Sequence, residues 1–219
     1  MSARNDILNR VRLRLGADET EARKQRVAAV LAARPGQRQG PRPTERADLL
    51  GEFRRRAEAL ASTVDVVSGW ADAPAALARY LAAKDLPRQG VAWPALAHLD
   101  WAAAGLEIRI GAARGDDRLG LTTCYCAIAE TGTLMLLGEV DNHGVTSLLP
   151  ETHVALVPAS SLVWGMEEGW ARLRAERGAP PRAVNFVSGP SRTGDVGLTL
   201  QLGAHGPRSV HVLLVGDDA

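Results

Sequence analysis

The chain has few cysteines, few aromatic residues and no long apolar run. Only two of its 219 residues are cysteine, Cys124 and Cys126. Two thiols this close cannot form a disulfide framework, and they fit a reducing, cytoplasmic compartment. Zinc or an iron–sulfur cluster needs about four ligands. We therefore expect no metal in this chain and interpret both thiols as small buried residues, which strand alternation places on one face.

The charge balance and the hydropathy pattern argue against three further classes of protein, although a local basic cluster stays open. The 26 basic and 25 acidic residues give a net charge of +1, which argues against a nucleic-acid-binding surface. The sequence contains no apolar run long enough for a transmembrane helix. Residues 1–6 are followed by more charge rather than an apolar core, so no secretion is expected. With aromatics at 4%, the core must be built mostly from Ala, Leu and Val.

Three common catalytic fingerprints are also missing. No Gly-Lys-Ser/Thr sequence follows a glycine-rich loop, and no G-x-G-x-x-G sequence is present, which excludes a Walker A loop and a standard dinucleotide fingerprint. No G-x-S-x-G elbow is present either, which argues against the α/β-hydrolase type of serine nucleophile. Any active site in this chain must therefore be of a kind other than these three.

The pattern predicts a helical arm followed by one α/β domain. Residues 3–34 have helical apolar spacing, and residues 35–43 contain three Pro and two Gly, so they form a linker without regular structure. The predicted units are thus residues 1–43, the N-terminal helical arm and linker, and residues 44–219. Because the linker separates it from the domain, the arm can pack elsewhere, including on a second subunit in a homo-oligomer.

Short strands and helices alternate along residues 44–219. Thr44 is predicted to cap a helix that reaches about residue 61, Asp72 a second helix, and Ser160 or Ser161 a later one. Units this short indicate an α/β domain with a mainly parallel sheet. The main predicted strands cover residues 64–67, 90–93, 106–110, 119–125, 153–157, 184–187 and 210–215.

The stretch from 127 to 137 is the first candidate functional centre. Two apolar runs flank the polar residues Glu130, Thr131, Gly132 and Thr133, and such runs are typical of buried strands. A buried carboxylate is costly without a partner, and Gly132 allows a ligand or another backbone to approach closely. The alternative is a tight hairpin, with Glu130 solvated or bonded to nearby amides.

The loop after the predicted strand 184–187 is the second candidate. Its Gly, Ser and Thr residues can point several amides and hydroxyls at one anion, and Arg192 can add a charge. In open α/β sheets, ligands bind beyond the carboxyl ends of the strands, where we expect this loop to lie. The alternative is an ordinary connection between strands. The candidate ligand-binding residues are Ser188, Gly189, Ser191, Arg192, Thr193 and Asp195.

Two loop histidines complete the candidate set. His143 follows closely after the Glu130 strand in a polar loop and can line the same cleft, and His205 lies in a turn punctuated by Gly and Pro. His153 and His211 fall inside predicted strands and are interpreted as packing residues. A lone loop histidine is more often solvated than catalytic.

Four blocks of this sequence resemble the lactate-utilisation protein C family (LutC/YkgG, the LUD domain). They occur in the family's order and spacing: AIAETGT (127–133), LLPETH (148–153), SGPSRTGD (188–195) and HGPRSVHV (205–212). The resemblance covers about residues 44–216 and is specific because four separate blocks agree. It implies a three-layer, Rossmann-like α/β fold similar to the NagB/RpiA/CoA-transferase group, preceded by a helical extension.

The resemblance also implies a functional setting. The family belongs to a multi-protein system that oxidises L-lactate to pyruvate, with iron–sulfur clusters in LutA-like and LutB-like partner proteins. This chain would then be an accessory subunit that binds a small anionic ligand and holds no cofactor of its own.

An alternative rests on a second likeness. Glu130-Thr131-Gly132 is similar to the Glu-x-Gly element of some CoA transferases, which makes Glu130 a candidate nucleophile and the amides of Gly132 or Thr133 candidate oxyanion donors. The chain would then be an independent CoA-transferase-like or nucleotide-using enzyme. In either case we expect Glu130 and Thr131 to face a cleft that is shared with residues 188–195.

Overall fold

A computed structural model describes residues 3–15, 20–32, 43–139, 142–193 and 201–216. The chain divides into two compact units, Met1–Thr44 and Glu45–Ala219. The first unit contains two helices, α1 (Ala3–Arg14) and α2 (Thr20–Ala32). Most of the predicted linker lies outside the described residues. Within the described ranges, no helix is both long and apolar enough to cross a bilayer.

The second unit combines four helices with strands of two to seven residues. The helices are α3 (Leu49–Ala59), α4 (Ala73–Ala83), α5 (Val145–Leu148) and α6 (Met166–Arg177). The strands are β1 (Thr63–Val67), β2 (Gln89–Ala92), β3 (Glu107–Ile110), β4 (Leu119–Thr123), β5 (Cys126–Ile128), β6 (Thr133–Gly138), β7 (Thr152–Pro158), β8 (Leu162–Val163), β9 (Ala183–Val187), β10 (Arg192–Thr193), β11 (Gln201–Leu202) and β12 (Ser209–Val215).

A six-stranded parallel sheet forms the centre of this unit. Its strand order is β1-β12-β7-β4-β2-β3, and every neighbouring pair is parallel. The three strands β4, β7 and β12 carry nearly continuous buried runs, as expected where both faces of a parallel sheet are covered. The predicted α/β fold with a central parallel sheet and flanking helices is confirmed.

A second, smaller sheet lies beside the first. Its order is β8-β5-β6-β9, in which β6 is antiparallel to both β5 and β9. The stretch 127–137 is therefore a hairpin, as the alternative interpretation held. The expectation that the loop after residue 187 follows a strand of the parallel sheet is wrong, because β9 belongs to this second sheet.

Three apolar clusters join the layers. One cluster packs α4 against the parallel sheet, around Leu77 and Leu81. The second fills the space between the two sheets and includes Phe53 and Ala57 of α3. The third joins the outer face of the smaller sheet to Leu173 of α6. Helix α3 thus lies where the two sheets meet.

Two predicted helix starts are wrong, and one is confirmed. Asp48, not Thr44, caps α3, because its carboxylate accepts a hydrogen bond from the Gly51 amide at 2.8 Å. Helix α6 begins at Met166 rather than after Ser160 or Ser161, because a 3-10 turn and β8 come first. Asp72 precedes α4 as predicted, although its side chain makes no capping hydrogen bond.

Two buried histidines lie on opposite faces of the parallel sheet. On β7, His153 is fully buried, and its Nε2 shares a 2.8 Å hydrogen bond with the Thr122 hydroxyl. On β12, His211 stacks on Tyr80 with ring centroids 3.8 Å apart, and its Nδ1 shares a 2.8 Å hydrogen bond with the Thr63 hydroxyl. Both are packing residues, as predicted. Burial lowers the pKa of each to about 4, so both rings are neutral at pH 7.

The buried histidines make the folded state sensitive to acid. An unfolded chain protonates His153 near its ordinary pKa of 6.5, whereas the folded chain does so only near pH 4. Between these values the unfolded state binds more protons, so stability falls as the pH falls. Replacing His153 with Gln keeps a hydrogen-bonding side chain but removes the titration. We expect wild type to lose about 3 kcal/mol more than His153→Gln between pH 7 and pH 4 in urea unfolding. Parallel stability curves for the two proteins would contradict this.

Candidate functional site

A chain of hydroxyl groups connects the two candidate regions. The Thr131 hydroxyl in the β5–β6 turn donates to the hydroxyl of Thr133 at 2.8 Å. That of Thr133 in turn shares a 2.7 Å hydrogen bond with the hydroxyl of Ser188, which follows β9. Thr133 is buried, whereas Thr131 and Ser188 are exposed. The predicted proximity of the 130–133 turn and the 188–193 loop therefore holds for Thr131, Thr133 and Ser188.

In each region a glycine packs closely against the backbone of α3 or of Leu60, the residue that follows it. Gly132 has a φ of +65°, and a Cβ there would lie 2.4 Å from the backbone nitrogen of Ala57. Gly189 has a φ of +80°, and its Cβ would lie 2.4 Å from the Leu60 carbonyl oxygen. The close approach foreseen at Gly132 is thus that of another backbone. This face of Gly132 leaves no room for a ligand, and a ligand-binding role for its amide stays a prediction.

The rest of the 188–193 loop is held mainly by backbone contacts. The Arg192 guanidinium donates to the Leu60 carbonyl oxygen at 3.0 Å, as basic side chains do near helix C-termini. Ser191 bonds through its backbone to Pro207 and Gly203, and Thr193 is buried. Asp195 lies outside the described residues. Since Leu60 follows α3 and precedes β1, the loop lies near the amino ends of the parallel strands, not at their carboxyl ends.

The Glu130 side chain reaches toward the start of α6. The side chain is half-buried and lies beside Gly165. A Cβ added to Gly165 would lie 3.3 Å from Oε2 of Glu130 and 3.2 Å from Oε2 of Glu167. The Gly165 amide donates to Glu168 at 2.6 Å. A helix N-terminus stabilises negative charge, which accounts for carboxylates gathering here. The cleft that Glu130 is expected to share with residues 188–195 stays a prediction.

The two loop histidines lie apart from the hydroxyl chain. His143 is exposed and lines a cleft at the far end of β6, where no residue of the 130–133 turn contributes. Six residues of β6 span about 16 Å, so the expectation that His143 shares a cleft with Glu130 is wrong. His205 is exposed before β12, next to Gly206, whose Cβ would lie 3.2 Å from Cβ of Ser191.

The cysteines do not form a shared ligand set. Cys124 belongs to the cluster between the sheets and Cys126 to the cluster under α6, because the backbone bends at Tyr125 before β5 begins. Their predicted placement on one face is therefore wrong. Burial raises the pKa of Cys124 to about 12 and that of Cys126 to about 11, which disfavours the thiolate that binds metals. Among the described residues no group of three or more potential metal ligands exists.

The sequence analysis missed two residues of the cleft at the end of β6. Asn142 precedes His143, and Arg182 reaches the same cleft because Gly138 of β6 pairs with Ala183 of β9. Asn142 could have been included with its neighbour. A single arginine after two prolines carries no local signal, since only the register between β6 and β9 brings it to this place.

The family model of the LUD domain matches residues 50–215. The chain belongs to the LUD-domain family. The match covers nearly all of the second unit, including both sheets and all four blocks that carry the resemblance. The LutC-type resemblance inferred from those blocks is confirmed.

Curated relatives match about half to two thirds of this LUD-domain protein. Lactate utilization protein C of Bacillus licheniformis is 33% identical over 121 residues, which cover 54% of this chain and 50% of the relative. The protein of the same name from Bacillus subtilis is 33% identical over 141 residues, or 63% of this chain and 56% of the relative. The chain thus spans about half the length of the curated relatives it matches.

A solved structure supports the same fold. The crystal structure of a DUF162 family protein from Deinococcus radiodurans aligns with a TM-score of 0.59 and 27% identity. The alignment covers 80% of the LUD-domain protein and the whole of the other chain. The catalytic role of Glu130 remains a prediction. So do the ligand-binding roles assigned to Thr131, Gly132, Thr133, His143, Ser188, Gly189, Ser191, Arg192, Thr193, Asp195 and His205.

The contact between Gly132 and α3 can be separated from backbone strain. Gly178 has a φ of +69° but no atom within 4 Å of its Cβ position, so Gly178→Ala should cost only the left-handed strain, about 1–2 kcal/mol. Gly132→Ala combines the same strain with a backbone overlap. We expect it to cost at least about 2 kcal/mol more in urea unfolding. Equal losses in the two variants would show that α3 does not constrain this turn.

Proposed function

We propose that this chain is a cytoplasmic accessory subunit of an L-lactate utilisation system. It binds a small anionic ligand and supports the oxidation of L-lactate to pyruvate, together with LutA-like and LutB-like iron–sulfur proteins. The observation that carries the proposal is the LUD-domain match over residues 50–215, joined to relatives named lactate utilization protein C. Because those relatives are matched over about half their length, the role of the whole system is part of the proposal.

The chemistry of the thiols supports a division of labour with partner proteins. Electron transfer through an iron–sulfur cluster requires about four thiolate or imidazole ligands in one place. Here Cys124 and Cys126 lie in separate apolar clusters with raised pKa values. The imidazole of His153 is fully buried and bonded to Thr122. These residues suit packing, so we assign the redox steps to the partners.

Growth on lactate tests the proposal directly. Deleting the gene from its source organism should abolish growth on L-lactate as sole carbon source and leave growth on pyruvate unchanged, because pyruvate enters after the affected step. Growth should return with the wild-type gene. An affinity-tagged chain purified from lactate-grown cells should bring iron–sulfur proteins with it. Normal growth of the deletion strain on lactate would refute the proposal.

The second candidate is an enzyme with Glu130 as nucleophile or acid–base group. Its half-buried carboxylate near Gly165 is the observation in favour, because the side chain remains partly accessible. The contact of Gly132 with α3 weighs against it, since the α3 backbone closes one face of this glycine to a substrate. The accessory role is therefore the better supported of the two.

Substitution of Glu130 distinguishes the two candidates. Glu130→Gln removes the charge and the nucleophile, and Glu167→Gln removes a neighbouring charge beside the same Gly165. If the chain is an accessory subunit, both variants should restore lactate growth to the deletion strain equally. Failure of Glu130→Gln alone, with an unchanged melting temperature, would favour the enzyme.

A further inference from the structure

A cleft of about 710 Å³ opens at the far end of the smaller sheet. It lies where β6 ends and β9 begins, and it is lined by residues 138–139, 142–145 and 181–183. Its volume is in the range of small-molecule sites in proteins. No residue of the hydroxyl chain or of the α6 N-terminus lines it, so it is separate from the regions described above.

The loop that carries His143 is anchored to the body of the domain. The indole nitrogen of Trp93 donates to the His143 carbonyl oxygen at 3.1 Å, and the Thr146 amide donates to the same oxygen at 3.0 Å. At the start of the loop, the Glu139 amide donates to the Asn142 carbonyl oxygen at 3.2 Å. These backbone contacts leave the Asn142 and His143 side chains available to a ligand.

Counted over the residues that the structure describes, the cleft carries one positive charge in excess. Glu139 forms an ion pair with Arg177 of α6, which neutralises the carboxylate in the lining. Arg182 has no carboxylate partner among the described residues. In contrast, a cleft of about 590 Å³ at the amino ends of β2 and β3 is lined by two arginines that are both ion-paired, Arg109 with Asp117 and Arg118 with Glu151. Of these two clefts, the one at β6 therefore offers a guanidinium without an ion-pair partner among the described residues.

We infer that this cleft binds an organic carboxylate with Arg182 as its counter-ion. A guanidinium presents paired N–H donors that match the two oxygens of a carboxylate. Asn142 and His143 supply further donors, and Val145, Pro181 and Ala183 offer apolar surface to the carbon skeleton. This deepens the ligand-binding part of the proposed function and rests on it for the choice of probes, although the site is argued from its geometry alone.

Titration of the purified full chain with three sodium carboxylates, L-lactate, pyruvate and hexanoate, tests the inference. Sodium phosphate and sodium chloride at equal ionic strength serve as references. Binding is followed by calorimetry and by the shift in melting temperature, which rises when a ligand binds the folded state. At least one carboxylate should bind, and Arg182→Gln should weaken it about ten- to a hundredfold, the loss expected for charge-assisted hydrogen bonds.

Two further variants make the result specific. Arg79→Gln removes the same charge from an exposed position on α4 and should bind like wild type. Arg182→Lys keeps the charge without the fork and should bind between wild type and Arg182→Gln. The inference is overturned if no carboxylate binds, if phosphate binds as tightly as the carboxylates, or if Arg79→Gln and Arg182→Gln behave alike. Binding can fail while lactate growth still depends on the gene, so the two proposals are tested separately.

Discussion

The contact of two left-handed glycines with α3 positions the smaller sheet on the larger one. Gly132 packs against the backbone nitrogen of Ala57, and Gly189 packs against the carbonyl oxygen of Leu60, which follows α3. A Cβ added to either glycine would lie only 2.4 Å from that atom. The hydrogen bond between Thr133 and Ser188 joins these contact points from the side of the smaller sheet. Because α3 also fills the space between the sheets with Phe53 and Ala57, the turn and the loop both pack against the helix that joins the two sheets.

The parallel sheet could be predicted from the sequence, and the second sheet could not. Strands such as β7 and β12 are apolar and rich in Val, and helices or turns separate several of the strands, so local pattern was enough. The strands β5, β6 and β9 are almost as apolar, so the same pattern is equally consistent with strands of the parallel sheet. The pairing of Ala127 with Leu134 is the local hairpin that the alternative interpretation gave. What places this hairpin in a sheet with β9 is the pairing of Leu134 with Val187. Such long-range register has no local signature.

The candidate residues show the same limit at the level of side chains. The sequence drew attention to the 130–133 turn and the 188–195 loop because both are small, polar and flanked by apolar runs, and hydroxyls from the two do meet. It could not show that Arg192 bonds to a helix C-terminus or that Glu130 turns toward α6. These outcomes depend on which backbone carbonyls and helix ends lie nearby. Arg182 was missed for the same reason, since its cleft is formed by segments about 40 residues apart.

The position of β12 in the large sheet has a consequence for how this protein is made. β12 lies between β1 and β7 and pairs with both along most of its length. In the large sheet β1 pairs with β12, so residues 63–67 cannot join the sheet until residues 209–215 have left the ribosome. Because synthesis proceeds from the N-terminus and contacts of such high sequence separation form slowly, the large sheet can close only late. Until then, a nascent chain exposes the unpaired edges of β1 and β7, and such edges favour association with other chains.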